Sequence, residues 1–181
     1  MRGLFVTATD TGAGKTVLAA AIAAALRARG EHVATFKPVV TGTDEAAHPD
    51  WPADDVLLGT VTGRPPEEVA PNRFGPPVSP HLAAAQVGRE LDPAVLRAEL
   101  AAAAAAAQTL VVEGVGGLLV PLAPDYLVRD FACDAGLPIA IAARPGLGTI
   151  NHTLLTLEAA RSAGLTVAAV VLAPWPPQPS A

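Results

Sequence analysis

The segment Ala8-Thr-Asp-Thr-Gly-Ala-Gly-Lys-Thr16 brings two glycines, a lysine and a hydroxyl into one short stretch. Gly12 and Gly14 let a backbone curl close to an anion where a Cβ would clash. Lys15 supplies a cation for β- and γ-phosphates, and the Thr16 hydroxyl suits Mg²⁺. An apolar β-branched run, Gly3–Ala8, comes before, and a helical pattern from Lys15 to Arg29 follows. A strand, a glycine turn and a helix N-terminus together make an anion cradle. The match to a phosphate-binding P-loop lacks one glycine, because Thr9 stands where the pattern begins. The alternative is a plain glycine turn before a helix. The loop implies a nucleoside triphosphate with Mg²⁺ and leaves open what becomes of the phosphate.

Of the twelve basic residues, ten are arginine and two are lysine, Lys15 and Lys37. Lys37 ends a second apolar run and is followed by Pro38 and the turn Thr41-Gly-Thr43. Ligands of open α/β sheets lie outside the carboxyl ends of the strands. Lys37 thus belongs to the P-loop rim, where it stabilises a phosphoryl group in transfer or snorkels at the surface. Glu113 closes a third strand before Gly114-Val-Gly-Gly117, the place of a second magnesium ligand or of a solvated acid. Asp54 and Asp55 open a helix. Asp54 reads as its N-cap, and Asp55 either shares that role or completes an oxygen shell with Thr16 and Glu113. Four histidines, at 32, 48, 81 and 152, show no metal-ligand spacing. Asn151 reads as an N-cap or as a receptor for a substrate carboxylate. Cys133 reads as a small buried apolar residue.

The elements that must position these groups alternate. Strands are expected at Gly3–Ala8, His32–Val40, Thr109–Val112, Pro138–Ala142 and Thr166–Leu172. Helices are expected at Lys15–Arg29, Asp54–Thr62, Pro80–Gln86, from Pro93 to about Ala107, at Leu127–Ala135 and from Asn151 to Ala163. Arg64–Pro80 contains six prolines and reads as extended or turning chain. The alternation predicts an α/β fold, a parallel β-sheet sandwiched by helices in the P-loop manner. Residues 1–172 read as a single domain, and 173–181 as a Pro-rich C-terminal tail.

Composition narrows the possibilities. A hydrophobic fraction of 51% with 16% charged residues supports a buried core. A net charge of −5 removes a chain-wide basic field for nucleic acid or anionic membrane. A single cysteine leaves no intramolecular disulfide framework. Neither a signal peptide nor a span of about 20 apolar residues is visible. A cytoplasmic location is expected.

Together these segments resemble the dethiobiotin synthetase family of P-loop enzymes. The resemblance runs from residue 3 to about 172. It rests on the Thr7–Thr16 loop, Lys37-Pro-Val with Thr41-Gly42, Ser79-Pro-His81 followed by Gln86, Glu113-Gly-Val-Gly-Gly117 and Gly148-Thr-Ile-Asn-His152. It implies an ATP- and Mg²⁺-dependent cyclo-ligase of biotin biosynthesis that builds the ureido ring of dethiobiotin from 7,8-diaminopelargonic acid and CO₂. A carbamate and a carbamic–phosphoric anhydride would be the intermediates. It further implies Lys37, Lys15 and Thr11 as catalytic groups. Gly12, Ala13, Gly14, Lys15, Thr16, Val17, Asp55, Glu113, Gly114, Val115 and Gly116 would hold nucleotide, with Thr16, Asp55 and Glu113 as metal ligands. Thr41, Gly148, Thr149, Ile150 and Asn151 would hold substrate, the last four across a homodimer interface. Ala8 and Val115 depart from the residues usual in the family, and the chain reads as shorter than its family. The competing readings are a cobyrinate-type amidoligase relative and a non-catalytic or regulatory nucleotide-binding module.

Overall fold

The structure, a computed structural model, describes residues 2–46 and 51–173. His48 and the tail beyond Ala173 lie outside the described residues.

The apolar run after Arg2 forms β1 (Gly3–Ala8), buried from Phe5 onward. The P-loop turns into α1 (Lys15–Ala28), which ends before Gly30. The expected strand His32–Val40 divides at Pro38, a residue with no N–H for a ladder. Its first part is β2 (Val33–Phe36), and its second is β3 (Val39–Thr41), which leaves the main sheet. Next come α2 (Asp54–Thr62), closed by Gly63, and the proline-rich stretch. That stretch is more regular than expected. Pro66 starts the short helix α3 (Pro66–Val69), and β4 (Asn72–Phe74) pairs in parallel with β3. α4 (Pro80–Gln86) and α5 (Pro93–Ala105) follow, the latter capped by Asp92, which accepts from the Ala94 N–H at 2.7 Å.

β5 (Thr109–Glu113) is buried throughout. A small antiparallel pair unseen in the sequence, β6 (Pro121–Ala123) and β7 (Tyr126–Leu127), leads into α6 (Val128–Ala135). β8 (Ile139–Ala143), α7 (Thr149–Ser162) and β9 (Val167–Leu172) complete the described chain. α7 starts at Thr149 rather than at Asn151, because Gly148, at φ +91°, supplies the left-handed N-cap. Asn151 therefore lies inside the first turn and is no cap.

The five-stranded sheet has the order β2-β5-β1-β8-β9, every pair parallel. The chain order reverses around β1, which puts the P-loop at the switch point where open α/β sheets bind ligands. One core layer packs Phe5, Phe36 and Phe131 with α5 and α6. The other packs Val6, Val33 and Val111 with α1 and Leu58 of α2. Both faces are covered, in line with the expected fold class. Cys133 departs from its expected burial: it is exposed, its thiol 3.6 Å from the Ala163 carbonyl.

Candidate active site

Gly14 takes φ +88° at the end of the loop and starts α1, a conformation open to glycine at little strain. The loop is braced from below. The Thr9 N–H donates to the Ala142 carbonyl at 3.0 Å, and Ala13 packs with Ala8 and Ala142. Ala13 thus turns its methyl into the core and offers only backbone to a ligand. Thr11, Gly12, Gly14, Lys15, Thr16 and Val17 line a cavity of about 720 Å³. The same cavity is lined by Lys37, Thr41, Asp54, Glu113, Val115 and Gly116.

The polar centre is a four-residue network. Lys37 Nζ lies 2.6 Å from Asp54 Oδ2 and 2.6 Å from Glu113 Oε1. The Thr16 hydroxyl lies 2.8 Å from Asp54 Oδ1 and 2.9 Å from Glu113 Oε1. Glu113 is fully buried, and its Oε2 has no hydrogen-bond partner. Burial lowers a lysine's pKa, but the facing Glu113 and Asp54 carboxylates outweigh that and hold Lys37 above the usual range. Desolvation would raise Asp54, and the Lys37 ammonium overcomes it and holds that carboxyl below its ordinary value. Lys15 is also buried, its ammonium 3.3 Å from the Asp10 carbonyl. Burial first, and then the Lys37 charge, bring its pKa down to about 8.

These positions correct two sequence expectations. Asp54, expected as an N-cap, stands one residue past the Ala53 cap, and its carboxylate reaches Thr16 and Lys37. Asp55, expected as a metal ligand, is buried on the other side of α2, where it pairs with Arg73. The helix presents consecutive residues in different directions, and packing of α2 selects which one faces the loop. Gly114 is not among the residues lining the cavity. It packs beneath the rim, where an added Cβ would meet the Phe5 ring and Val128 at 3.1 Å.

The start of α7 stands apart from this cavity. Thr149 lines a second cavity of about 300 Å³ with Asp10, Arg144 and His152. Ile150 and Asn151 are exposed. The sequence reading missed Trp51, Glu45, Pro77 and Val120, which also line the main cavity. A tryptophan in a polar loop, in a chain that is only 4% aromatic, was the one available signal.

The oxygen donors fit Mg²⁺, a hard cation usually held by one or two carboxylates and completed by phosphates and water. Thr16, Asp54 and Glu113 line the cavity with a hydroxyl and two carboxyl groups, and burial pushes the Glu113 carboxyl up, a shift that a cation beside it would oppose.

The sheet order, the loop after the central strand and the acid at the end of its neighbour define a P-loop nucleotide-binding protein. A family model described as an AAA domain matches residues 2–180. The kinase domain of the Escherichia coli tyrosine kinase ETK shares the fold at TM-score 0.58 and 15% identity, over 99% of this chain and 71% of that one. The BceF tyrosine kinase domain does so at 0.55 and 13%, over 94% and 68%. An ATP-dependent dethiobiotin synthetase BioD of Anaeromyxobacter dehalogenans is 45% identical, over 95% of this chain and 76% of that protein. One from Bacillus cereus is 41% identical, over 95% and 71%. The chain belongs to the ATP-dependent dethiobiotin synthetase family.

Proposed function

We propose that the chain closes the ureido ring of dethiobiotin on 7,8-diaminopelargonic acid, with CO₂ and ATP, in the cavity between the P-loop, Lys37 and Thr41. ATP-dependent synthesis of dethiobiotin, a step of biotin biosynthesis, is the activity of the family to which the chain belongs. The residue roles and the order of bonds below are our reading. The observation that carries them is the Lys37 ammonium at 2.6 Å from both Asp54 and Glu113, in the cavity that begins at the P-loop.

One amine of the diamine attacks CO₂ and loses a proton, giving a carbamate. A carbamate oxygen attacks the γ-phosphorus as the bond to the β-phosphate oxygen breaks, and ADP leaves. The second amine attacks the carbamoyl carbon. The carbon–oxygen bond to phosphate breaks, the ring closes, and the departing phosphate takes a proton. Two anions must meet in the second step, so catalysis consists mostly of positioning and charge neutralisation. Lys15 holds the β/γ-phosphates from the loop side. Lys37 stays charged at neutral pH because its carboxylate neighbours hold it so, and it therefore acts as a cation and not as a base. Its flexible stem carries the ammonium from the carboxylates toward the oxygens of carbamate and γ-phosphate. Thr11 lines the same wall and offers a hydroxyl to the phosphoryl group, and Thr41 faces the diamine. Mg²⁺, held by Thr16, Asp54 and Glu113, would draw charge from the triphosphate.

The substrate carboxylate is assigned to Gly148, Thr149, Ile150 and Asn151 of a second copy in a homodimer. Leu147, just before α7, is fully exposed, and Ile150 (74%) and Leu154 (58%) stand one turn apart on the helix. α7 buries only Ala160, so this apolar face needs a partner. Among the described residues no helix is long and apolar enough to cross a membrane. We assign the enzyme to the cytoplasm, where ATP is available.

The test is incubation with the diamine, bicarbonate and ATP, with mass detection of dethiobiotin and a phosphate assay. Dethiobiotin and phosphate should appear together and only with all three substrates. Nucleotide binding without product would leave a nucleotide-binding module instead.

A further inference from the structure

Asp54 and Asp55 are consecutive in the first turn of α2 and serve different faces of it. Neighbouring helical residues point roughly 100° apart. Asp54 meets Thr16 and Lys37 in the cavity. Asp55 is fully buried with its carboxylate against the Arg73 guanidinium, an ion pair in which neither carboxylate oxygen has a hydrogen-bond partner. Arg73 is the central residue of β4, in register with Val40, beside the Thr41–Phe74 pair. The ion pair therefore ties the metal-bearing end of α2 to the strand pair that carries Thr41.

The second tether of α2 lies a turn further along. The Thr35 hydroxyl of β2 is 3.2 Å from the Leu58 carbonyl and 3.2 Å from the Thr62 hydroxyl. Leu58, fully buried against α1, anchors the same part of the helix, and Asp55 is the buried side chain of its first turn. A buried carboxylate is expensive unless paired, so the roll that brings Asp55 to Arg73 is strongly preferred. The same roll brings Asp54 to Thr16. A well-packed apolar residue at position 55 would serve stability at least as well as an ion pair, which argues that the pair's contribution is orientation.

We propose that Asp55 and Arg73 are positioning residues whose ion pair aims Asp54 at the metal site and fixes its distance from the Thr41 strand. The inference deepens the reading of Thr16, Asp54 and Glu113 as magnesium ligands and rests on it.

The test measures Mn²⁺ binding by electron paramagnetic resonance in the presence of a non-hydrolysable ATP analogue. Binding of the same analogue in EDTA and the melting temperature are recorded beside it. Arg73→Ala should weaken Mn²⁺ binding about tenfold, since partners that orient a ligand usually influence metal affinity by roughly 10–100-fold. Analogue affinity in EDTA should hold, and Arg73→Lys should restore most of the loss. Asp55→Asn, which removes the buried charge and keeps the shape, should show the same selective loss. It carries the test should Arg73→Ala fail to fold. The proposal is overturned if the folded variants bind Mn²⁺ like the parent, or if metal and metal-free analogue affinities fall together, as general loosening would produce. Asp54→Asn separates the two levels. If it too binds Mn²⁺ normally, the metal-site reading fails; if it alone loses Mn²⁺, only the positioning role fails.

Discussion

Lys37 Nζ and Glu113 Oε1 lie 2.6 Å apart at the ends of two adjacent parallel strands, each almost wholly removed from water. The sheet sets this distance. Phe36 is in register with Val112, so the residues that follow them emerge side by side at the rim. The contact gives the site a cation that stays charged on burial and a carboxylate with one oxygen still free.

Replacing Lys37 by alanine should abolish ring closure, by at least about 10²–10³-fold, the usual effect of one electrostatic group aimed at a developing charge. ATP binding should be largely retained, since Lys15 and the loop backbone remain. The variant should also melt lower, because Glu113 loses its buried partner. Product formation by mass spectrometry and nucleotide binding by calorimetry check both parts. Near-normal ring closure would remove Lys37 from the reaction.

Lys15 adds a pH dependence whose sign follows from its burial. Its pKa of about 8 in the free protein means that the amine is mostly neutral above that pH. Triphosphate beside it favours the ammonium, so binding raises the pKa and takes up a proton above pH 8. ATP affinity should therefore fall as pH rises through about 8 and 9, and the binding enthalpy there should depend on the buffer. Lys15→Met should bind ATP more weakly at all pH values and lose this proton uptake. Calorimetry in two buffers of different ionisation enthalpy measures both effects.

Asp54→Asn removes one of the two carboxylates at the proposed metal site. The Mg²⁺ concentration for half-maximal phosphate release should rise about tenfold or more, within the range expected when a ligand set is weakened. The diamine KM should change less, because Thr41 and its strand are untouched. A magnesium titration at saturating ATP decides the matter, and an unchanged midpoint would exclude Asp54 as a ligand.

How much of this was legible in the sequence depended on how local each feature is. The P-loop is contiguous, and its strand, turn and helix follow one another, so residue type and spacing sufficed. Lys37 and Glu113 were placed at the rim by a general rule about strand ends in α/β sheets. The choice between Asp54 and Asp55 was different. Both are helix-opening acids, and only the packing of α2, with Leu58 buried against α1 and Thr35 bonded to its carbonyl, turns one toward Thr16. The parallel pairing of β3 with β4 joins Val39 to Asn72 across two helices, which periodicity within either segment does not reveal. Trp51 and Glu45 reach the cavity from a polar loop with no regular pattern at all.

The exposed face of α7 makes the last prediction. Ile150 and Leu154 are one turn apart and both more than half exposed, and exposed Leu147 lies just before the helix. Burial of such a side chain at an interface is worth about 1.5–3 kcal/mol, so a charge placed there opposes association by more than the loss of one contact. Ile150→Asp combined with Leu154→Asp should give a monomer in analytical ultracentrifugation, with little change in melting of the individual chain because neither residue belongs to the core. ATP binding should persist, since neither substitution touches the P-loop, Lys15 or Lys37. The diamine KM should rise steeply, because Gly148–Asn151 would no longer reach the partner's cavity. A variant that stays dimeric, or a monomer with an unchanged diamine KM, would place the substrate carboxylate elsewhere.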